Sequence, residues 1–330
     1  MSKRERVQAA LKGGDLDRPP VSFWGHDFVR EWTAEGLSAA MVESVRTYDY
    51  DYLKVNPRAS YFDEAWGGRH RPSGDAFRQP EIESWVLHEA TDLASVRPAD
   101  PQGGPFGEQL EALRLIGSEL GGDVPFVQTV FSPLSVIGRM ANGREPVKRW
   151  MQQAPDALHA ALAAVAETLG AYAKACLEAG ADGIFFATTE WATHDVLTDD
   201  EYDAFGRAYD LRVLNDAPGA PMNVLHVCRP NNMLARLLDY PVAAFNWAMH
   251  APGNMSLADA AAKTDKAVLG GVDERHGLLD GPPDAVREQV REALRQTGGR
   301  RFLLAPGCSI SPQTPPEHIR AAVEALRNGA

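Results

Sequence analysis

Cysteine is scarce, with three in 330 residues. That excludes a disulfide framework and fits a reducing cytosol, so a cytoplasmic location is expected. Positive charge is short too: 33 Lys and Arg stand against 45 Asp and Glu, for a net charge of −12. Nucleic-acid binders present a basic surface, and polybasic anchors present a cationic run to lipid, so neither class is expected. No uninterrupted run of about eighteen apolar residues occurs, and no membrane span is expected. The opening Met1-Ser2-Lys3-Arg4-Glu5-Arg6 is charged and lacks the apolar core of a secretory signal. No Gly-x-Gly-x-x-Gly turn follows any strand, which disfavours a doubly wound dinucleotide-binding sheet.

What the chain has is ordinary globular material, 44% hydrophobic and 24% charged. The apolar segments 21–24, 51–55, 125–131, 183–187, 222–227, 242–247, 267–271 and 301–305 read as strands. Helical patterns fall between them, among them 38–47, 106–120, 135–179, 199–217, 232–238, 256–264, 283–296 and 316–328. The Ala-rich stretch 154–175 carries Asp156, His159, Glu167 and Lys174 and reads as a soluble amphipathic helix. Alternating strands and helices imply parallel pairing. Eight such units predict one α/β domain over 1–330, a (β/α)8 TIM barrel. A first helix at 4–11, ended by Gly13-Gly14, predicts an N-terminal helical cap. The Gly-, Pro- and aromatic-rich segment 61–87 predicts a β-hairpin insertion.

Two of the three cysteines fall into one constellation. His226-Val227-Cys228 follows the apolar run Pro221–Leu225, and Cys308 follows 301–305 through a Pro306-Gly307 turn. Residues at i and i+2 of a strand share a face. One strand end therefore offers an imidazole beside a thiol, and a second strand end adds another thiol. Three such ligands with a fourth position open suit a catalytic zinc. A buried Cys or a hydrogen-bonded core His is the plainer reading of either residue alone. Barrel enzymes, however, carry functional residues at the C-terminal strand ends, where all three of these lie.

The same rule selects other candidates. Glu190 reads as a fourth ligand, a base or a capping acid, and His250 as a partner of a metal ligand or a substrate contact. Asp273 reads as a group that orients His226, a substrate contact or a helix cap. His26 and Asp27 follow the first strand and line the same mouth. Trp24, Trp191 and Trp247 form an apolar wall or plain core. His194 reads as an inert loop residue and Cys176 as a buried helical thiol.

The opening Lys3-Arg4-Glu5-Arg6-Val7, with Asp17-Arg18-Pro19-Pro20-Val21, resembles the start of the uroporphyrinogen decarboxylase superfamily. So do Gly270-Gly271-Val272-Asp273 and Phe302–Cys308, followed by Thr314–Ile319. The resemblance spans nearly the whole chain and implies the barrel. Decarboxylases of this superfamily hold their octacarboxylate with Arg-Gln-Ala-Gly-Arg-Tyr after strand one. This chain has Gly25-His26-Asp27-Phe28-Val29-Arg30 there, without the two arginines that would clamp carboxylates. His226, Cys228 and Cys308 instead match the His-x-Cys…Cys zinc ligands of the cobalamin-dependent methyltransferases that act on coenzyme M. That branch implies a Zn2+ site and a corrinoid co-substrate. Of the strand-end candidates, Glu190, Asp273 and His250 are then the expected catalytic groups, and His26, Asp27 and Trp191 the expected cofactor contacts.

The expected partners are a corrinoid protein or free cobalamin, and a small-molecule methyl donor or acceptor. The direction of transfer and the choice between monomer and homodimer stay open. No Asp-x-His-x-x-Gly cobalamin segment is present, so the corrinoid is expected from solution or another chain. The alternative is a metal-independent decarboxylase in which Asp27 or Asp273 protonates a carbanion. A non-catalytic tetrapyrrole or corrinoid binder is a third reading.

Overall fold

The computed structural model describes residues 1–217 and 219–329. Its strands in chain order are β1 (Leu53–Val55), β2 (Arg69–Arg71), β3 (Glu81–Ser84), β4 (Phe126–Phe131) and β5 (Gly183–Ala187). They continue with β6 (Val224–Val227), β7 (Ala244–Trp247), β8 (Ala267–Val272) and β9 (Phe302–Pro306). Seven of them form one curled parallel sheet, in the order β1-β4-β5-β6-β7-β8-β9. β2 and β3 form a separate antiparallel hairpin.

The eighth stave is not a regular strand. Residues 20–25 pair with β9 through a bridge at Val21–Leu304, and Gly25 bridges Ile310 beyond the strand's end. On the other side, the Asp51 N–H donates to the Val21 carbonyl at 2.9 Å. Pro19 and Pro20 bring no N–H to a ladder, so this segment closes the gap between β9 and β1 with few bonds. Other expected boundaries shift as well. The stretch 135–179 resolves into helices Pro133–Met140, Arg144–Gln153 and Pro155–Glu178, and the pattern at 232–238 into the single turn Leu234–Leu237. The hairpin is narrower than 61–87, because Tyr61–Glu64 forms a helical turn.

Alternation along the strands divides the core into two layers. Tyr52, Val127, Phe185, Val224, Ala244, Leu269 and Leu303 fill the barrel interior. Their neighbours Leu53, Phe126, Ile184, Leu225, Phe245, Val268 and Phe302 pack outward against the helices. The first helix, Lys3–Lys12, is capped by Ser2 and Glu5 and adds Val7 and Ala10 to the interior cluster. It forms the expected N-terminal cap. The helix Pro155–Glu178 is long and apolar enough to cross a membrane, but 67% of its most apolar window is buried inside the fold.

The cap is locked by one carboxylate. Asp51 is fully buried and accepts from Arg6 Nη1 at 2.6 Å, from Arg18 Nη1 at 2.6 Å and from the Val21 N–H at 3.0 Å. It ties the first helix, the irregular stave and the entry to β1 together. Asp51→Ala leaves Arg18 without its ion-pair partner and Arg6 with Asp17 alone, and should cost about 3 kcal/mol in urea unfolding. A loss below about 1 kcal/mol would show the three bonds to be incidental.

A second buried acid makes stability depend on pH. Asp210 is fully buried and receives the Tyr202 hydroxyl at 2.7 Å and the Tyr240 hydroxyl at 2.9 Å. Burial pushes its carboxyl up to about 7, against the pull of the two hydroxyls toward the charged form. In the unfolded chain an Asp titrates near ~3.9. Between those values the folded state binds the extra proton, so this contribution is full below about pH 4 and is lost as pH rises through 7. Asp210→Asn should remove that component, and stability of the two proteins compared from pH 5 to 8 reads it directly. Parallel curves would overturn it.

Candidate metal centre

The register of the parallel sheet builds the site. Ala187 pairs with His226, His226 with Asn246, and Asn246 with Leu269, so these residues lie in one row across β5 to β8. Neighbouring strands stand about 4.8 Å apart, which puts same-face side chains of a row in contact. His226 Nδ1 lies 2.6 Å from Asn246 Oδ1. The Asn246 amide nitrogen donates to the Leu269 carbonyl at 3.1 Å and the Pro306 carbonyl at 3.0 Å. That fixes the amide orientation, makes Nδ1–H the donor of His226, and leaves Nε2 with a free lone pair. Phe185 stacks on the ring at 5.3 Å.

Cys228 lies one residue beyond β6, on the same face as His226. Arg229 after it takes a left-handed φ of 72°, which turns the chain away and leaves the thiol at the mouth. Cys308 arrives through Gly307. A side chain there would meet the Trp247 carbonyl at 3.2 Å and Glu274 Oε2 at 3.0 Å, so glycine permits the close passage. The ligand atoms of His226, Cys228 and Cys308 all lie within 4.8 Å of one another. The two sulfurs are 3.6 Å apart, and Cys308 Sγ is 3.8 Å from His226 Nε2.

A tetrahedral zinc with its usual bond lengths needs about 3.8 Å between two sulfurs and about 3.6 Å between sulfur and nitrogen. The donor set and its spacing therefore fit such an ion. The thiols share their protons unequally. A hydrogen bond from Cys308 holds the Cys228 thiol below its ordinary value, helped by the Arg229 charge and N–H against the cost of burial. The same bond and burial push Cys308 well up. The Cys228 thiolate thus forms more readily than that of an isolated cysteine, and the Cys308 thiolate less readily.

Two cavities meet at these sulfurs. One of about 400 Å3 is lined by Cys228, Cys308, His250, Asp273, Glu274 and Arg275. The other, about 260 Å3, is lined by His226, Cys228, Cys308, Lys54, Arg139 and Glu190, among others. Other strand-end candidates divide between these cavities and elsewhere. Glu190 faces Arg229 at 3.5 Å and Arg144 at 3.7 Å, and lies outside the three-residue cluster. Asp273 does not orient His226, since Asn246 holds that position; its Oδ1 caps the backbone N–H groups of Arg275 and His276. His250 lines the larger cavity.

His26 is bonded to the buried Glu31 at 2.8 Å, and Asp27 caps Val29 and Arg30 while pairing with the Arg30 side chain. Both line a separate cavity of about 350 Å3, which shares Trp24 and Lys54 with the smaller mouth cavity. Trp191 is packed against Gly138 at 1% exposure and lines neither mouth cavity. Trp247 is likewise core, its indole N–H donating to the Met255 carbonyl. His194 is exposed, and Cys176 is buried, its thiol pushed well up by desolvation.

Three site residues escaped the sequence reading. Asn246 is one. Lys54 is another: it is buried, its Nζ bonds Asn56 Oδ1, and it lies over the Phe185 ring at 5.0 Å. Burial pulls its ammonium down to about 7, while the charges of Cys308 and Glu31 pull the other way. Its signal was the alternation Tyr52-Leu53-Lys54-Val55, in which the even positions face the barrel. Glu274 is the third, a carboxyl raised by burial with no cationic side chain within ion-pair distance among the described residues. Nothing in its local sequence marks it out.

A family model of uroporphyrinogen decarboxylase (URO-D) matches residues 2–329. A methylcobamide:CoM methyltransferase, MtaA, from Methanosarcina barkeri is 29% identical over 340 residues, covering 98% of this chain and 96% of that protein. A uroporphyrinogen decarboxylase from Verminephrobacter eiseniae is 30% identical over 272 residues, covering 76% of this chain and 71% of its own. A methyltransferase from Methanosarcina mazei superposes with a TM-score of 0.86 at 25% identity, over 99% of this chain and 98% of that one.

Asn246 gives this site a separable test. Asn246→Ala removes the partner that fixes the His226 tautomer, and losses of that kind typically weaken metal binding 10- to 100-fold. Competition with a chromophoric chelator should show zinc affinity falling in that range with far-UV dichroism unchanged. Unaltered affinity would mean that His226 is oriented without Asn246.

Proposed function

We propose that this chain, which belongs to the uroporphyrinogen decarboxylase family, is a zinc-dependent enzyme that moves a methyl group between a corrinoid and a thiol or related acceptor. The observation that carries the reading is the triangle of His226, Cys228 and Cys308, with spacing suited to one tetrahedral ion. The end-to-end match with a methylcobamide:CoM methyltransferase supports it.

The residues have definable tasks. His226 presents Nε2 toward the sulfurs, held by Asn246. Cys228 and Cys308 supply two negative charges, which offset those of a divalent ion. A bound zinc would lower the pKa of an acceptor thiol and hold it as a thiolate nucleophile. Methyl transfer then forms a sulfur–carbon bond and breaks the cobalt–carbon bond, whose electron pair stays with cobalt. The acceptor thiolate adds a net negative charge, and Lys54, buried in the wall of the smaller cavity, is placed to compensate it.

The decarboxylase reading keeps support from relatives such as the Verminephrobacter protein. It requires a free acid in the mouth. Asp27 is occupied by Arg30 and two backbone N–H groups and held below its ordinary range, although burial opposes this. Asp273 is occupied as a cap. Neither is set up as a proton donor, and a decarboxylase would have to use Glu274, the mouth carboxyl that burial raises.

Metal analysis of protein prepared without chelator should find one zinc per chain, and Cys308→Ser should lose it while remaining folded. Incubation with methylcobalamin and small thiols should convert the cobalt spectrum in wild type and not in Cys228→Ala or Cys308→Ala. Equal rates in wild type and Cys308→Ala would remove zinc from the reaction. Decarboxylation of a porphyrinogen would favour the lyase instead.

A further inference from the structure

The barrel wall is weakest where its irregular stave meets β1. Residues 20–25 keep their bonds to the other side: the Ser22 N–H donates to the Leu304 carbonyl at 3.2 Å, and the Ile310 N–H to the Trp24 carbonyl at 2.9 Å. Toward β1 the bond from Asp51 to Val21 is the last. Among the described residues, no backbone hydrogen bond joins 22–25 to Leu53–Val55. A ladder normally holds neighbouring strands about 4.8 Å apart and leaves no passage between them. Here that ladder stops one turn of the pleat below the mouth.

The cavity of about 350 Å3 occupies this seam. Its outer part lies between the helices Ala34–Tyr48 and Pro316–Gly329, against Ala40, Ser44, Tyr48 and Ile319. Its rim includes the exposed Arg30, Pro312 and Pro316. Its inner end is formed by Trp24 and Lys54, each 4% exposed. The smaller mouth cavity, which contains the two thiols and His226, shares these two residues with it and no other. A path from the flank of the barrel to the sulfurs is therefore partitioned by two side chains. Lys54 is the movable one: its stem is flexible, and its Nζ is held by one hydrogen bond, to the Asn56 amide oxygen.

We propose that the seam between residues 20–25 and β1 is a side entrance to the metal centre, with Lys54 as its inner gate. Through it the small acceptor arrives, and its methylated product leaves, while a corrinoid covers the mouth. This rests on the methyl-transfer reading given above. A corrinoid presents its methyl group from the face of a broad ring, and a ring facing the sulfurs shuts the mouth to other molecules. The seam admits a slender compound of a few heavy atoms and excludes the ring itself. Acceptor exchange is then independent of corrinoid docking.

Alkylation of the full chain tests this without turnover. In metal-stripped protein, iodoacetamide is a small, uncharged probe of access to Cys228 and Cys308, read by mass. The buried Cys176 should stay unlabelled, which verifies that the fold is intact. Cyanocobalamin serves as the cover, since it carries no transferable methyl group. Ser44→Phe and Ile319→Trp fill the seam from opposite walls, and neither residue lines the mouth cavities.

Wild type should label at nearly the same rate with and without cyanocobalamin. Both plugged variants should match wild type in its absence and slow in its presence. Passage through a filled cavity requires packed side chains to move aside, so that slowing should be at least about tenfold. Equal slowing of wild type and the plugged variants would make the mouth the single way in. That overturns the side entrance and leaves the methyl-transfer reading standing. Undiminished labelling of the plugged variants under saturating cyanocobalamin would mean that no corrinoid covers the mouth, which removes both.

Discussion

One buried amide holds this site together. Asn246 has no exposed surface, and it spends all its bonding on three other strands: His226 of β6, Leu269 of β8 and Pro306 of β9. Two of those contacts decide where ligand atoms lie. The bond to His226 selects the tautomer whose lone pair faces the sulfurs. The bond to Pro306 anchors the strand end two residues before Cys308. A buried polar group is tolerated only when satisfied, and this one is satisfied only if β6 and β9 both keep their places around β7. The curl of the sheet and the chemistry of its mouth are therefore one constraint.

The parts of the fold legible in the sequence were those with long periodic runs. Segments such as Phe126–Phe131 and Phe302–Pro306, buried on both faces, announce parallel strands between helices. The irregular stave at 20–25 was not legible at its true strength, because the apolar run at 21–24 conceals that the two prolines before it deprive the ladder of donors. Within the site, His226, Cys228 and Cys308 were visible because their residue types are rare and their i, i+2 and strand-end placements are local facts. Asn246 was not, since its meaning lies in the register between β6 and β7, and one sequence does not display register. Asp273 was given a task that Asn246 performs. On sequence alone an acid after a strand fits either role, and the backbone N–H groups of Arg275 and His276 claim it.

Charge was the most misleading of the global properties. A net of −12 describes the surface, yet the cavity beside the thiols is walled by Lys54, Arg139 and Arg229, with Glu190 as its one carboxylate. Lys54 lies on the interior face because Leu53 and Val55 face the helices, and period two leaves it no other side. Its partners there are an amide oxygen and two aromatic faces, not a carboxylate. An unpaired buried lysine is costly to stability, as the drop of its ammonium to about 7 records. A fold tolerates that cost most readily where a negative charge arrives from outside, and the acceptor thiolate proposed for this mouth would bring one.

The ligand geometry also separates this centre from metal sites that create their own fold. In zinc fingers the binding free energy is folding free energy, because no site exists before the ion. Here the sulfurs and the imidazole stand at nearly their final spacing, fixed by β-ladders and by Asn246 rather than by an ion. The interior layer of the core borders the site through Phe185, which stacks on His226, and supplies none of the three ligand atoms. What an ion must overcome is electrostatic: the bond between the two thiols eases ionisation of Cys228 and opposes that of Cys308. Metal binding should then release protons without reorganising the backbone, which leaves the free coordination position defined by the barrel. On the function proposed above, an acceptor sulfur arriving there would meet a fixed target, and such preorganisation is what a methyl transfer along one line of attack requires.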